Sequence, residues 1–396
     1  MSIVHDHREL AQRLDLFHFQ EEAPGMVFWH PRGFLMYRLL EDAVRRVLSR
    51  DGYQEVRTPQ ILRQPIWEAS GHWQHFRDDM FVVSEEGAEA AVKPVSCPGH
   101  AQLVKQRAPS YRELPLRLAE FGVVHRNEPS GTLHGLLRLR QFTQDDGHIF
   151  ATEDQAEAEI ERFCRALPPF YRAFGFERLS YVVSTRPASR AGEDALWDRA
   201  EAALLSVVEK LGHPHQVQPG GGAFYGPKIE LVLRDEADRP WSCGTIQFDF
   251  FMPRSFDLRY VASSGERPHV VMLHRAMFGS VERFLALLLE RHGAALPPWL
   301  AADQAIVLPV SSEQDAWARE VADRFARAGV RARVDDRSAS LAKRIALAHH
   351  DGAAHVAVVG AREVAERAVT LRDVGTMDLE RATSWLAERG ALPAFV

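Results

Sequence analysis

Apolar residues recur at helical spacing in five stretches of the chain, and shorter alternating or continuous apolar runs lie between them. Over residues 31–50 the repeat falls on Phe34, Tyr37, Leu40, Val44 and Val47, and Asp51-Gly52 ends it. The predicted helices are 31–50, one that begins near Pro98, 153–174, 193–211 and 275–292. The predicted strands are 53–61, a hairpin within 79–95, 121–128, 136–150, 179–183, 229–233 and 242–251. Hairpin-linked strands with helices packed to one side predict an α+β fold built on an antiparallel sheet.

Residues 293–303 interrupt both periodicities with a double proline and small side chains, as a linker would. After this segment, strand and helix patterns alternate. The strands are IVLPV, VRARVD, HVAVVG and AVTLRD, and the helices are EQDAWAREVADRFARAG, SLAKRIALAHH and a last one near the end. Such alternation predicts a small, mostly parallel α/β domain. We therefore expect two domains, 1–300 and 301–396.

The segment 121–150 has an unusual polar pattern for two neighbouring strands. If 136–150 is a strand, alternate side chains share one face, which then carries Arg138, Arg140, Phe142, Gln144, Asp146 and His148. Arg126 and Glu128 share a face of the preceding strand in the same way. Arginines suit phosphates, an aromatic ring suits a base, and a carboxylate suits an ammonium group. The pattern favours the floor of a site for a nucleotide and an amino acid, and the alternative is an ordinary solvated strand face.

Composition narrows the class of protein only slightly. The chain has 396 residues, long enough for two or three domains, with 46% hydrophobic and 26% charged residues. A net charge of −6 gives no overall basic field, which weighs mildly against an RNA partner. No apolar run approaches about 18 residues and no signal-peptide pattern opens the chain, so we expect a cytoplasmic protein without membrane contact. Its cysteines, Cys97, Cys164 and Cys243, do not form a disulfide framework.

Many segments resemble the threonyl family of class II aminoacyl-tRNA synthetases, in that family's order. In addition to 121–150, which resembles motif 2, they are HRELAQRLDLFHFQEEAPGMVFWHPRG, WEASGHW, KPVSCPGH, STRPASR, WDRAE, GGAFYGPKIE, CGTIQFDF and HRAMFGSVERF. They cover residues 5–300 almost continuously, and residues 301–396 resemble the family's anticodon-binding domain less closely. The resemblance implies a class II catalytic fold, and it equates the helix at 31–50 and the strand after it with motif 1, which implies a homodimer.

Three residues far apart in sequence match the family's metal ligands. Spacing alone shows no zinc signature, and a lone cysteine or histidine is usually a core residue. The resemblance implies that Cys97, His148 and His274 bind one Zn²⁺ per subunit, with an open position for the substrate. In that family the zinc holds the amino and hydroxyl groups of threonine, which excludes valine but not serine. Asp146 matches the carboxylate beside the substrate, and Gln144 lines the same pocket.

The resemblance also implies an ATP site, with Mg²⁺ accompanying the phosphates. Arg126 matches the residue that holds the α-phosphate and the amino acid carboxylate. The remaining nucleotide matches are Glu128 and Phe142 near adenine, Arg138 at a phosphate, Arg283 at the other end of the nucleotide, and Gln247. Without the resemblance, Arg283 would be interpreted as a cation on the surface of a helix. His72 matches a histidine near the terminal ribose of tRNA, and Tyr225 and Lys228 match other active-site positions. Ser242 departs from the family, in which glutamine is usual at this position.

The expected function is therefore a threonine–tRNA ligase that acts on threonine, ATP and tRNA(Thr). The family's N-terminal editing domains are absent from this sequence, so we expect serine attached to tRNA to persist unless another protein removes it. Residues 300–396 contain 13 Lys and Arg against 14 Asp and Glu, so tRNA binding is expected to be weak or differently distributed. That balance leaves open a threonine-activating enzyme with another acceptor. A catalytically silent sensor of amino acids or tRNA is the third alternative.

Overall fold

A computed structural model of the chain describes residues 5–85, 87–177, 179–234 and 238–395. Contacts between α-carbons divide the chain into two compact units. The first unit comprises 1–18, 28–43 and 286–394, and the second comprises 19–27, 44–285 and 395–396. Within the described residues, no helix combines the length and the apolar character needed to cross a membrane.

The described part of the chain contains helices of 4 to 20 residues and strands of 2 to 11 residues. The helices are α1 (His7–Leu14), α2 (Pro31–Arg50), α3 (Gln64–Ala69), α4 (His72–His75), α5 (Cys97–Arg107), α6 (Glu153–Arg172), α7 (Asp194–Lys210), α8 (Met252–Ser255), α9 (Val281–His292), α10 (Asp315–Arg327), α11 (Leu341–His350), α12 (Ala361–Glu366) and α13 (Leu379–Gly390). Short 3₁₀ turns occupy Arg77–Asp79, Tyr111–Glu113, Ser130–Thr132 and Ser312–Gln314. The strands are β1 (Phe17–His18), β2 (Phe28–Trp29), β3 (Gln54–Glu55), β4 (Ile61–Arg63), β5 (Val82–Glu85), β6 (Ala88–Val92), β7 (Leu116–His125), β8 (Gln141–Ala151), β9 (Ser180–Ser184), β10 (His215–Gln218), β11 (Lys228–Arg234), β12 (Pro240–Asp249), β13 (Val271–Ser280), β14 (Ala305–Pro309), β15 (Ala332–Val334), β16 (His355–Val359), β17 (Ala368–Leu371) and β18 (Gly375–Asp378).

The second unit is built on one large sheet, with the described strands in the order β10-β9-β11-β12-β13-β8-β7-β3. The six central strands, from β9 to β7, pair antiparallel, and among the described strands only the outer pairs β10–β9 and β3–β7 are parallel. Helices α6 and α7 pack against strands of this sheet and bury apolar side chains such as Phe163, Phe170 and Trp197. The predicted α+β fold on an antiparallel sheet is confirmed.

The helix predicted at 275–292 is wrong in its first six residues. Residues Val271–Ser280 form β13, and α9 begins only at Val281. Almost every side chain of β13 is buried, because the strand is central and covered on both faces. A strand buried on both faces has a continuous apolar run, and such a run does not distinguish it from a buried helix.

The two predicted motif 2 strands have different bounds in the structure. The first strand runs over Leu116–His125 rather than 121–128, and the second begins at Gln141 rather than 136. The predicted alternation therefore holds for the residues from Phe142 to His148, whereas Arg138 and Arg140 belong to the connection before β8. A one-residue β-bridge joins His134 to Arg138 in that connection, which is a turn and not a strand.

Some shorter predictions are also corrected. The strand predicted over 53–61 is reduced to Gln54–Glu55, and Ile61 opens a separate strand in the small sheet β4-β6-β5. Pro59 explains the interruption, because proline cannot donate a ladder hydrogen bond. Helix α3 and strand β10 were not predicted, since both are too short to show a period.

The first unit contains a five-stranded sheet in the order β15-β14-β16-β17-β18. Its first three strands are parallel, as the alternating pattern predicts, and the last two are antiparallel. The core on one face includes Trp317, Phe325 and Leu386, and the core on the other includes Ile306 and Val356. The predicted α/β domain is present, with α12 and β18 as additional elements.

Candidate active site and metal centre

Four strands of the large sheet place one residue each in a single row. Lys228 on β11 lies opposite Gln247 on β12, Gln247 lies opposite His274 on β13, and His274 lies opposite His148 on β8. Directly opposed residues project their side chains to the same face of a sheet. The row therefore brings together an ammonium group, an amide and two imidazoles from distant parts of the sequence.

Cys97 approaches this row from outside the sheet, as the first residue of α5. Its thiol and the imidazoles of His148 and His274 offer ligand atoms that all lie within 4.8 Å of one another, and the three residues are buried. Burial raises the pKa of the Cys97 thiol well above its ordinary value. A bound metal ion would reverse this effect, because a coordinating thiol is deprotonated. One thiolate and two imidazoles form a donor set suited to a divalent transition metal ion.

The hydrogen bonds behind His274 aim its other ring nitrogen at this cluster. Asp249 accepts the backbone N–H groups of Phe251 and Met252 at 2.7 and 2.9 Å, and its second oxygen lies 2.8 Å from His274 Nε2. Since a carboxylate only accepts, Nε2 donates and Nδ1 presents its lone pair, 3.1 Å from Nε2 of His148. Metal-binding histidines commonly have such a carboxylate behind them. The residues present therefore fit a metal ion.

Asp146 and Gln144 continue the same face of β8 next to the metal cluster. Asp146 Oδ1 lies 3.8 Å from His148 Nε2, and the Asp146 side chain is 15% exposed. Burial raises the pKa of Asp146, and the charge of Glu120 adds to this effect. A bound ammonium group would relieve this cost, because a nearby opposite charge favours the ionised carboxylate. The arrangement suits the amino group of a small substrate.

A separate pocket gathers five of the six residues predicted to bind the nucleotide, and Gln247 lies outside it in the row described above. Its lining includes Arg126, Glu128, Arg138, Phe142 and Arg283. The guanidinium carbon of Arg126 lies 5.1 Å from the centre of the Phe142 ring, and Arg283 Nε donates to the backbone carbonyl of Leu137 at 3.0 Å. Burial lowers the pKa of Arg126, and the charge of Arg283 lowers it further. Two arginines that disfavour each other's charge form a site for an anion such as phosphate.

Arg138 differs from the other two arginines because a carboxylate neutralises it. Its guanidinium forms an ion pair with Glu128 at 2.8 Å and is about half exposed. The backbone carbonyl of Glu128 also accepts a hydrogen bond from Arg140 Nε at 2.8 Å. The structure thus places Glu128 and Arg138 in the pocket as a pair, so that binding of phosphate by Arg138 would compete with Glu128.

Tyr225 contacts both Gln247, in the row, and His274, in the metal cluster. The Tyr225 hydroxyl donates to Gln247 Oε1 at 2.6 Å, and its ring stacks on His274 with centroids 5.0 Å apart. Lys228, at the end of the row, forms an ion pair with Glu230 at 3.1 Å. Lys228 therefore has a carboxylate partner from its own strand, whereas Tyr225 contacts the cluster directly.

His72 is buried at the start of α4. Its Nδ1 lies 2.9 Å from Ser70 Oγ, and its ring meets Phe224 edge-on. Burial lowers the pKa of His72 to about 3, with smaller contributions from His274 and Arg126. The His72 imidazole is therefore neutral and lies close enough to His274 and Arg126 to be affected by their charges.

Comparison with known proteins agrees with this geometry. The model of the class II tRNA synthetase core domain (G, H, P, S and T) matches residues 80–292, more than half of the chain, and that of the anticodon binding domain matches residues 304–384. Threonine–tRNA ligases of Leptothrix cholodnii and Halorhodospira halophila are 49% and 48% identical to the chain over 96% of its length. A solved structure described as the RNA binding domain of threonyl-tRNA synthetase from Cryptosporidium parvum Iowa II is 38% identical. It has a TM-score of 0.94 and covers 98% of this chain and 99% of its own.

The chain belongs to the threonyl-tRNA synthetase family. This confirms the resemblance found in the motifs, and with it the class II core followed by an anticodon-binding domain. The chain spans about three fifths of the length of the curated threonyl-tRNA synthetases it matches, 61% and 60% for the two named here.

Ser242, the departure from the usual family motif, forms a hydrogen bond to a carboxylate in this chain. Its hydroxyl donates to Glu230 Oε1 at 2.8 Å, and Ser184 donates to the other oxygen of the same carboxylate at 2.9 Å. The short side chain therefore supports the partner of Lys228. A glutamine at 242 has a longer side chain than serine and would need more room beside Glu230.

Sequence reasoning missed the buried polar residues that support the predicted ones. Asp145 lies on the opposite face of β8 from Asp146, and its carboxylate accepts the backbone N–H groups of Met277 at 2.5 Å and Gly279 at 2.8 Å. These bonds shape the end of β13, directly before the helix that carries Arg283. The available signal was the doubled aspartate, since alternation sends one of the two side chains to the far face.

Proposed function

We propose that this chain acts as a threonine–tRNA ligase, which activates threonine with ATP to threonyl-adenylate and transfers the threonyl group to tRNA(Thr). The observation that carries this proposal is the buried cluster of Cys97, His148 and His274 with the carboxylate of Asp146 beside it. The names of the related proteins support the proposal. The pocket lined by Arg126, Arg138 and Arg283 supports the proposal of an ATP site.

For the amino acid, we infer one Zn²⁺ ion per subunit held by Cys97, His148 and His274. When bound, zinc would act as a Lewis acid toward the amino and hydroxyl groups of threonine. Asp146 accepts a hydrogen bond from the amino group, which must be neutral to bind a metal ion, and Gln144 lines the same face. A pocket that recognises the hydroxyl rejects valine strongly, whereas an apolar pocket would barely distinguish the two shapes.

For activation, the chain's main contribution is positioning and charge stabilisation. A carboxylate oxygen of threonine attacks the α-phosphorus of ATP, the bond to the β-phosphate oxygen breaks, and pyrophosphate leaves. Arg126 binds the α-phosphate and the carboxylate, and Arg283 binds the other end of the nucleotide. Phe142 stacks on adenine, with Glu128 and Arg138 beside it. Mg²⁺ that accompanies ATP offsets the remaining phosphate charge.

For transfer, we infer that His72 lies near the terminal ribose of tRNA. Because its pKa is about 3, the imidazole is neutral near pH 7 and can accept a hydrogen bond from a ribose hydroxyl. Tyr225 and Gln247 hold each other beside the cluster, and Lys228 lies at the end of the same row. These residues line the region between the amino acid and the nucleotide.

Three further features remain proposals. The match to the core-domain model ends at residue 292 and the match to the anticodon-binding model begins at residue 304, which supports a boundary between domains 1–300 and 301–396. Contacts between α-carbons instead group residues 1–18, 28–43 and 286–394 in one unit. Limited proteolysis is therefore the test of the boundary at residue 300. A homodimer is inferred from the motif 1 resemblance of residues 31–50, and a cytoplasmic location from the translation role of the named relatives.

The direct test is ATP–pyrophosphate exchange with threonine, serine and valine, followed by charging of tRNA. We expect exchange with threonine, weaker exchange with serine, little with valine, and loss of exchange after removal of zinc. Charging of tRNA(Thr) in the same preparation would establish the ligase. Absence of exchange in zinc-replete protein would contradict the proposal and favour a silent sensor.

One observation favours a second candidate, an enzyme that activates threonine for an acceptor other than tRNA. Several arginines of residues 301–396 already pair with carboxylates, among them Arg324 with Glu380 and Arg337 with Asp335. Paired cations contribute little to phosphate binding, because the partner carboxylate must first be displaced. Exchange without charging of tRNA would select this candidate.

A further inference from the structure

A chain of buried polar groups lies behind His148, on the side that faces away from the metal cluster. His148 Nδ1 is 2.8 Å from His100 Nδ1, and His100 Nε2 is 3.1 Å from Glu120 Oε2. Lys93 Nζ donates to Glu120 Oε1 at 2.9 Å, and Thr58 donates its backbone N–H and its hydroxyl to the two oxygens at 3.1 and 2.8 Å. All of these residues are 5% exposed or less. None of them is a ligand or a substrate contact in the site described above.

The charge of Glu120 determines the direction of every hydrogen bond in this chain. Burial would raise the pKa of the Glu120 carboxyl, but hydrogen bonds from His100, Lys93 and Thr58 outweigh burial and lower it to about 2. The ionised carboxylate can only accept, so His100 Nε2 carries a proton. Lys93 already balances the charge of Glu120, and a second proton on His100 would leave a net buried charge. In its neutral form, His100 therefore accepts a hydrogen bond at Nδ1.

His148 must then donate from Nδ1, and its own Nε2 presents a lone pair. The facing atom is Nδ1 of His274, at 3.1 Å, and Asp249 makes that nitrogen an acceptor too. Two lone pairs that face each other at this distance repel unless a cation lies between them. The hydrogen-bond chain thus gives His148 and His274 lone pairs that face the place where the ligand atoms of the metal cluster meet.

We propose that His100, held by Glu120, is a positioning residue that fixes His148 in the one tautomer able to bind the metal. This inference rests on the proposed metal centre and goes beyond it, since it assigns metal affinity to residues that do not touch the ion. His100 is not a fourth ligand, because it contacts Nδ1 of His148, the nitrogen that faces away from His274. The rings of His100 and His148 meet edge-on, with centroids 4.7 Å apart.

Close backbone packing keeps His100 in place. A Cβ on Gly99 would lie 2.8 Å from the Thr58 side chain, so only glycine allows the start of α5 to come this close to Thr58. Cys97 and His100 belong to the same helical turn, and one segment therefore supplies both a ligand and the residue that orients another ligand. Such support commonly changes metal affinity by about 10- to 100-fold when it is removed.

Two substitutions of His100 separate hydrogen bonding from packing. His100→Asn keeps an acceptor oxygen near the position of Nδ1, whereas His100→Leu fills similar space without an acceptor. Zinc affinity of the metal-free full chain is measured by competition with a chromophoric chelator. We expect His100→Leu to weaken zinc binding about 10- to 100-fold and His100→Asn to remain within a few-fold of the unmodified chain. Cobalt(II) spectra, which report ligand geometry, should change in the leucine variant and stay close to normal in the asparagine variant.

Thr58→Val provides a second test that leaves His100 in place. It removes one hydrogen bond to Glu120 and should weaken zinc binding less than His100→Leu does. Unchanged zinc affinity and cobalt spectra in His100→Leu, with loss of binding in Cys97→Ser, would overturn the inference and leave the proposed metal centre standing. Unchanged binding in Cys97→Ser would overturn both. Thermal unfolding of each metal-free variant shows whether a loss of affinity comes from a loss of folding.

Discussion

Gly226 offers the sharpest test of how the sheet positions the site. It lies between Tyr225 and β11, and a Cβ built on it would be 1.8 Å from the backbone carbonyl oxygen of Phe248. Real Cβ contacts essentially never fall below 3.0 Å, so Gly226→Ala must separate the two segments by at least the difference, about 1.2 Å. Phe248 is bound to this segment through a hydrogen bond to the carbonyl of Pro227 at 3.0 Å, and it cannot yield without breaking the junction of β11 and β12.

That displacement has two measurable consequences. Overpacking typically costs about 1–3 kcal/mol, and a contact with backbone should lie at the upper end of this range. The shift also moves Tyr225, which holds Gln247 and stacks on His274, and a misplacement of about 1 Å can cost about 100-fold in rate. We therefore expect threonine-dependent pyrophosphate exchange to fall by about 100-fold and the free energy of unfolding to fall by about 3 kcal/mol.

The matched control is Gly131→Ala. A Cβ on Gly131 would meet no atom within 4 Å among the described residues, and its φ lies outside the left-handed region. The control should unfold at the same denaturant concentration as the unmodified chain. If Gly226→Ala exchanges pyrophosphate and unfolds like the unmodified chain, the junction is not the rigid support inferred here.

Further predictions concern charge, metal and pH. Arg126→Gln should lower exchange by at least about 100-fold with little change in unfolding. Arg126→Lys should recover part of the lost exchange rate, because a point charge replaces part of a bidentate contact. Equal exchange rates for the two variants would contradict this role of the Arg126 charge. Chelation of the metal should abolish threonine-dependent exchange, and added zinc should restore both the exchange and the preference for threonine over valine. Undiminished exchange and preference after chelation would exclude the metal from amino acid selection. The Glu120 carboxyl, with a pKa lowered from 4.5 to about 2, contributes roughly 3 kcal/mol of stability above pH 4.5 that is lost as the pH falls toward 2. Denaturant unfolding of the metal-free chain should show that loss, and Glu120→Gln should show a flatter pH dependence.

Sequence patterns predicted the elements whose periodicity is long or one-sided. Helices α2, α6 and α7 show a repeated apolar stripe, and their predicted bounds lie within two residues of the structure. Strand β13 was mistaken for helix because both of its faces are buried, which removes the alternation. The same reasoning placed Arg138 and Arg140 on a strand, although the chain turns there.

The candidate site was predicted unevenly for a physical reason. Polar residues that alternate along one strand, such as Gln144, Asp146 and His148, are visible in the sequence because one strand carries them. Cys97 and His274 have no such signal, and only the family resemblance pointed to them. Their supports, His100 and Asp249, were missed because a buried hydrogen bond between distant segments leaves no periodic trace.

The row that joins β11, β12, β13 and β8 has a consequence for how the protein is made. Synthesis proceeds from the N-terminus at about 5–20 residues per second. Cys97 and His148 are therefore synthesised well before His274, and the chain cannot hold a metal ion with all three ligands until the central strand has been added. A one-residue slip of that strand would also send its histidine to the other face. Metal capture in a growing chain would thus report that the sheet is complete and in register, before residues 301–396 have been synthesised.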